Sequence, residues 1–338
     1  MKLDAVKLAD VKLPTDHPNA LVRRLFSFWA PTAESMRGWA LAAVVVNAGI
    51  TVTGAAVRLT GSGLGCPTWP RCTPDSFVPV AHPEISPVTM AVEFGNRLLT
   101  FLVLAVGFAC VVAAMRLAPR RRPLLWLALL QPAGIVFQAL WGGLVVRSLL
   151  NPFTVSVHFL VSIALIAACW TLYARAGEGD GPARRVTHRD IRRLGFVLVA
   201  AVAVLLLAGV LVTGTGPHSG DAVASRFDLD IESVVRLHSD IVYIVLGLSF
   251  ALLFALHVTD SPRPARRAAL ALLVVELAQG VIGYIQYFLA VPALLVGLHV
   301  LGSTLVWIAT LRVVTSLRTR DPLTAPATPS PAATPAKV

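Results

Sequence analysis

Eight apolar stretches, each close to the roughly 20 residues that a bilayer core requires, divide this chain almost from end to end. They run approximately over 38–58, 93–115, 124–146, 152–174, 194–213, 234–257, 267–289 and 292–314. In hydrocarbon every backbone polar group must be satisfied within its own segment, so such stretches predict helices. The expected fold class is an all-α integral membrane protein with eight transmembrane helices. Composition agrees: 14% of residues are charged and mean hydropathy is +0.73, against about 25% charged in a soluble domain.

The net charge of +11 would suit a nucleic-acid partner, but its distribution argues otherwise. Of the 29 Lys and Arg, 23 fall in the N-terminal segment, the 2–3, 4–5 and 6–7 loops and the C-terminal segment. That bias is the positive-inside pattern. It predicts a multi-pass protein of the cell (plasma) membrane with both termini cytoplasmic. Asp4, Asp10 and Asp16 argue against a transit peptide in the first residues, where no cleavable signal is apparent. The tail from Pro322 is rich in Pro, Ala and Thr and predicts disorder.

The chain also repeats. Gln138 precedes His158 by 20 residues, and Gln279 precedes His299 by the same 20. Gly142 and Ser162 recur as Gly283 and Ser303 at an offset of 141. That offset equals four spans with their loops, so the halves share one orientation, a parallel repeat about an axis along the membrane normal. The reading is two pseudo-symmetric four-helix bundles. Its segments are a cytoplasmic N-terminal piece (1–37), a first half (38–174), a cytoplasmic linker (175–193), a second half (194–314) and a cytoplasmic tail (315–338).

His158, His238 and His299 each lie within about two turns of the start of an even-numbered span, in the outer third of the membrane. A buried histidine bonded to a carbonyl is the bland reading for any one of them. Three at one depth in a duplicated frame point to ligation, and haem iron is the natural ligand between apolar helices. His238 and His299 can supply two axial imidazoles to one haem, a low-spin arrangement suited to electron transfer. In the first half the place facing His158 is filled by Asn96, a poor iron ligand. His82 in the outer loop is a further imidazole within reach of that place, or a solvated loop residue; His218 reads similarly.

Glu93 and Arg97 flank Asn96 at i, i+4 and read either as an ordinary helix pair or as an acid at the mouth of the first half. Arg58, Arg97, Arg147 and Arg236 sit on the base-poor outer side, where they either bind haem propionates or snorkel to headgroups. Cys66 and Cys72 bracket Pro67-Thr68-Trp69-Pro70-Arg71 in the first outer loop and read as a disulfide or a redox-active dithiol. Cys110 and Cys169, within spans, read as small core residues. No P-loop, GxSxG, HExxH, CxxCH or Asp-rich prenyl-transferase motif occurs.

The stretch Gly61-Ser62-Gly63-Leu64-Gly65-Cys66-Pro67-Thr68-Trp69-Pro70-Arg71-Cys72, the run Glu93-Phe94-Gly95-Asn96-Arg97 and the histidines of spans 4, 6 and 8 resemble the haem A synthase family. The resemblance covers about residues 38–314. It implies a C-terminal half that holds haem b through His238 and His299. It also implies a first half that binds the substrate haem O through His158, with Glu93 as the essential acid and Cys66 and Cys72 as the outer-loop pair. Arg97 and Arg236 would bind propionates. The implied reaction oxidises a ring methyl of haem O to a formyl, giving haem A for cytochrome oxidase. Partners would be the lipid bilayer, a haem O synthase, an electron donor of unassigned identity and a second copy of the chain. Two departures stand out: Asn96 replaces a histidine common in the family, and the loop after span 5 lacks the second cysteine pair that some members carry. Two rival readings are a non-enzymatic b-type cytochrome and a small-molecule transporter.

Overall fold

A computed structural model describes residues 30–81 and 83–320. His17, His82 and the tail from Pro322 lie outside the described residues. Among the described residues eight helices are long and apolar enough to cross a membrane. They are α1 (Ala33–Leu59), α2 (Pro87–Arg116), α3 (Arg122–Arg147), α4 (Pro152–Ala176), α5 (Arg189–Thr215), α6 (Ile231–Val258), α7 (Arg263–Phe288) and α8 (Ala293–Ser316). The protein is an all-α integral membrane protein.

Six of the eight helices begin two to six residues earlier than hydropathy alone suggests, several behind a side-chain cap, whereas α4 and α8 start within one residue of the expectation. Thr32 and Ser35 form a capping box ahead of α1. Ser86 accepts from Val88 N with Pro87 in the first turn of α2. Asp230 caps α6 through Ser233 N. The early start of α2 places Glu93 nearly two turns inside the helix instead of at its opening.

Packing follows the repeat. α1 to α4 form one closed ring of neighbours, with α1 also touching α4; α5 to α8 form a second, with α5 touching α8. The rings meet along α1–α8, α4–α8 and α4–α5. The duplication reaches into the backbone of the tight outer turns. Leu149 and Leu150 have φ of 51° and 57°, and Ala290 and Val291, 141 positions on, have 57° and 61°. The matching bonds Leu150 N to Val145 O and Val291 N to Gln286 O close both turns.

One feature lay beyond the sequence reading. Within the 175–193 linker, Arg184–Arg185 (β1) pairs antiparallel with Arg318–Thr319 (β2) after α8. Beside it Arg121, almost fully buried, donates to both oxygens of Asp180 and to the carbonyls of Arg175 and Glu178. Those hydrogen bonds hold the Asp180 carboxyl below its ordinary range.

The apolar cores occupy the ends of the bundles nearer the Arg-rich 2–3, 4–5 and 6–7 loops. One gathers Met36, Ala40, Cys110, Leu124, Cys169 and Leu172; the other gathers Leu198, Val202, Leu252, Leu256, Leu272 and Val313. Toward the outer side, no residue over 152–162, 235–244 or 293–303 is fully buried. These are the segments that carry the three histidines.

Candidate functional site

Each span histidine rests on a glycine of the preceding helix. A Cβ added to Gly142 would stand 3.4 Å from His158 Cε1, one at Gly209 3.4 Å from His238 Cε1, and one at Gly283 3.3 Å from His299 Cε1. Gly142 and Gly283 were visible as a repeated pair. Gly209 was not, because it falls outside the 141 offset. The glycines let the imidazole edges approach the helix backbones closely.

In the second half His238 and His299 face each other with ring centroids 6.4 Å apart and planes at 60°. A metal–imidazole bond is about 2 Å long and the ring centre lies about 1 Å behind the nitrogen, so two axial imidazoles on one metal stand about 6 Å apart. The spacing fits one metal centre between them. Nδ1 of His158, His238 and His299 is buried without a hydrogen-bond partner. The Leu205 carbonyl lies toward the His238 ring, placed as a second-shell acceptor would be. Among the described residues no group of three or more His, Cys, Asp or Glu could hold a bare ion. A metal that brings its own equatorial ligands, such as haem iron, needs only the axial pair. The loosely packed outer segments of α4, α6 and α8 suit a large planar group.

Two glutamines stiffen this frame. Gln138 Nε2 donates to His158 O at 2.9 Å and to Ser162 Oγ at 2.6 Å. Gln279 Nε2 donates to His299 O at 2.6 Å. Sequence reading used these glutamines only as markers of the repeat; their recurrence was the signal that they do something. In the first half, Asn96 Oδ1 accepts from Thr53 Oγ1 at 2.8 Å, so the amide oxygen is already engaged.

Cys66 and Cys72 are joined by a disulfide. Glu93 is buried and grips the loop that the disulfide closes. Its Oε2 accepts from Cys66 N at 2.6 Å and its Oε1 from Arg97 Nη2 at 2.6 Å. Arg97 then donates to the carbonyls of Cys66, Thr68 and Arg71 at 2.7, 3.0 and 3.2 Å. Sequence reading gave Arg97 to a propionate. Here its five N–H groups are engaged inside the protein, leaving none for one. Arg58 donates to the carbonyls of His218 and Thr213, tying α1 to the outer loop of the second half. His218 is no solvated bystander: its Nε2 lies 2.9 Å from Val291 O. Gly63 N to Gly220 O, 2.9 Å, completes this outer tie. Arg236 is exposed two residues before His238 and makes no side-chain hydrogen bond among the described residues.

Sequence reading passed over Glu276. It is buried midway along α7, where Oε1 accepts from Ser249 Oγ at 2.9 Å. A carboxyl within a span was visible in the sequence, but no repeat or motif marked it.

Comparison with known proteins decides the family. The pattern of the cytochrome oxidase assembly protein family matches residues 37–311. The chain belongs to that family. Heme A synthase of Shewanella oneidensis is 28% identical over 198 residues, 54% of this chain and 56% of the relative. Heme A synthase of Bacillus pumilus is 32% identical over 124 residues, 35% and 38% of the two chains. A protoheme IX farnesyltransferase of Thermus thermophilus is 27% identical over 306 residues, 85% of this chain and 49% of the relative. This cytochrome oxidase assembly family member thus spans about half the length of the curated relatives it matches. Relatives named heme A synthase accord with the resemblance carried by the Gly61–Cys72 stretch and the span histidines.

Proposed function

We propose that the protein is a haem A synthase that oxidises a ring methyl of haem O to a formyl group. The observation that carries this reading is the pairing of His238 and His299 at 6.4 Å in one half against a single imidazole, His158, in the other, within a chain of this family. When bound, haem b in the second half supplies one-electron chemistry, and haem O in the first half presents the methyl to be oxidised.

The chain's own residues then divide the work. His238 and His299 hold haem b, and Arg236 offers a charged partner for its propionates. His158 holds the substrate from α4, positioned by Gly142 and by the bond from Gln138 to its carbonyl. Asn96, its amide oxygen taken by Thr53, leaves the facing side without a strong ligand. Glu93 is the acid on which activity depends. It acts from a fixed place, binding Cys66 N and Arg97 and so holding the disulfide loop over the first half. The site lies at the outer leaflet of the plasma membrane, with both termini cytoplasmic. A haem-farnesylating enzyme is the natural source of substrate. The Thermus relative, named for that activity, contains a region similar to most of this chain. An electron donor and a second copy of the chain complete the proposed partners.

Expression with a haem O supply, followed by analysis of the extracted haems, tests the reading. Hydroxylated or formyl haem is expected; haem b alone would remove the enzyme reading. The second reading, a non-enzymatic b-type cytochrome, draws on Glu93, whose two oxygens are both occupied in holding a loop. Under it no modified haem forms in any variant.

A further inference from the structure

The two halves close the same lateral seam in different ways. At the 141 offset, Gly143 and Arg147 on α3 correspond to Tyr284 and Phe288 on α7. In the second half Tyr284 stacks on Phe288, centroids 6.5 Å apart and planes at 19°. Its hydroxyl lies 2.5 Å from that of Tyr243 on α6. Tyr243, five residues past His238, thus laces α6 to α7. Both tyrosines are more than half exposed, so this seam faces lipid.

In the first half that lacing is missing. Five residues past Asn96 stands Phe101, which has no hydroxyl, and Tyr284's place is Gly143. The disulfide loop supplies the cover instead. The Trp69 indole lies on Gly143, so close that an added Cβ would stand 2.5 Å from Cδ2 and 2.8 Å from Cε3. Arg147 Nη2 reaches the Trp69 carbonyl at 3.5 Å. The other end of the loop is pinned to α2 by Glu93 and Arg97. The loop therefore spans α2 to α3 at the level of the candidate ligands. Asn96 lies between its two anchors on α2, and Gly142, the seat of His158, adjoins Gly143.

Tyr243 and Tyr284 bridge α6 and α7 directly, so opening that seam breaks a hydroxyl–hydroxyl bond. An indole seated on a glycine by apolar contact can lift while α2 and α3 stay in place. A porphyrin with a long prenyl chain partitions into the bilayer and meets the protein from the side. Resting on the function proposed above, we infer that the α2–α3 seam is the lateral port for the prenylated porphyrin. Trp69 is its movable cover, and the Tyr243–Tyr284 seam stays shut over the resident cofactor.

The test uses the full chain in nanodiscs of phosphatidylcholine and phosphatidylglycerol, loaded with haem b and haem O. Transfer of each haem to empty vesicles of the same lipid is followed. Trp69→Ala accelerates haem O transfer about tenfold, as loss of one aromatic contact allows. Trp69→Phe falls between, and haem b is retained as in the parent protein. Gly143→Ala, which displaces the indole with the loop's own chemistry intact, also accelerates haem O. Tyr243→Phe accelerates haem b alone. Parent-like haem O transfer in both Trp69→Ala and Gly143→Ala overturns the port, as does equal release of both haems. A parent protein that loads haem b and never haem O overturns the functional reading along with the port, whereas one that loads both and ignores Trp69 overturns the port only.

Discussion

In the second half two imidazoles face each other across 6.4 Å, each on its own glycine. In the first half one imidazole rests on Gly142, and the facing residue is an amide already bonded to Thr53. The outer loops differ in the same sense. The first is closed by a disulfide and pinned across two helices. The second has no disulfide: Phe227 packs on Gly214 of α5, and hydrogen bonds from His218 to Val291 and from Arg58 and Gly63 of the first half tie the loop down. On the proposed reading, one scaffold used twice yields a half that holds its group with two imidazoles and a half that holds with one under a separable cover. The first suits a resident group, the second a group that must come and go.

The largest effect expected is on the paired site. His238→Ala or His299→Ala removes an axial ligand and should abolish haem b binding, read as loss of its share of the Soret band, with first-half loading unchanged. Retention of a full bis-imidazole spectrum in either variant would break the comparison. Next, Glu93→Ala frees the loop and should lower haem A formation by about a hundredfold, the scale of a small misplacement at a reacting centre. Glu93→Gln keeps an acceptor for Cys66 N and should lose less. Equal losses would mean that the carboxylate's charge matters more than its grip on the loop.

Asn96→His sharpens the comparison by making the halves alike. The first-half haem should turn from high-spin to a low-spin bis-imidazole signature by electron paramagnetic resonance, and turnover should fall as the facing side is blocked. Smaller effects fall on the frame. Gln279→Leu and Gln138→Leu each forfeit the amide bond to a histidine carbonyl and should cost about 1 kcal/mol, measured by thermal unfolding of the haem-loaded protein. The smallest concerns the linker between the halves. Asp180, held below its ordinary range by Arg121, contributes stability that is full above the unfolded Asp value of about 4. That contribution fades as pH falls through its lower folded value. Protease protection of the linker should decline there, and Asp180→Asn should remove that pH dependence.

Much of this was legible in the sequence because membranes impose few solutions. Hydropathy located all eight helices, and the recurrence of Gln, Gly, His and Ser at one offset pointed to the duplication. What escaped was tertiary. Nothing local says that Arg58 and Arg97 spend their donors on loop carbonyls, that Trp69 seats on Gly143, or that β1 reaches across to β2. The start of α2 escaped because Glu93, Asn96 and Arg97 read as the opening of the span, whereas Ser86 and Pro87 cap and start the helix six residues earlier. Gly209 escaped because the first outer loop is longer than its counterpart, so the offset of 141 does not hold for α1 and α5.

The central claim is that these halves bind porphyrin unequally. The most direct measurement is the identity, stoichiometry and spin state of the haems in the protein purified after expression with haem O. The account predicts one low-spin bis-imidazole haem b that depends on His238 and His299, together with a separate haem O or haem A whose ligation depends on His158. A colourless protein, or two indistinguishable low-spin haems, would contradict it.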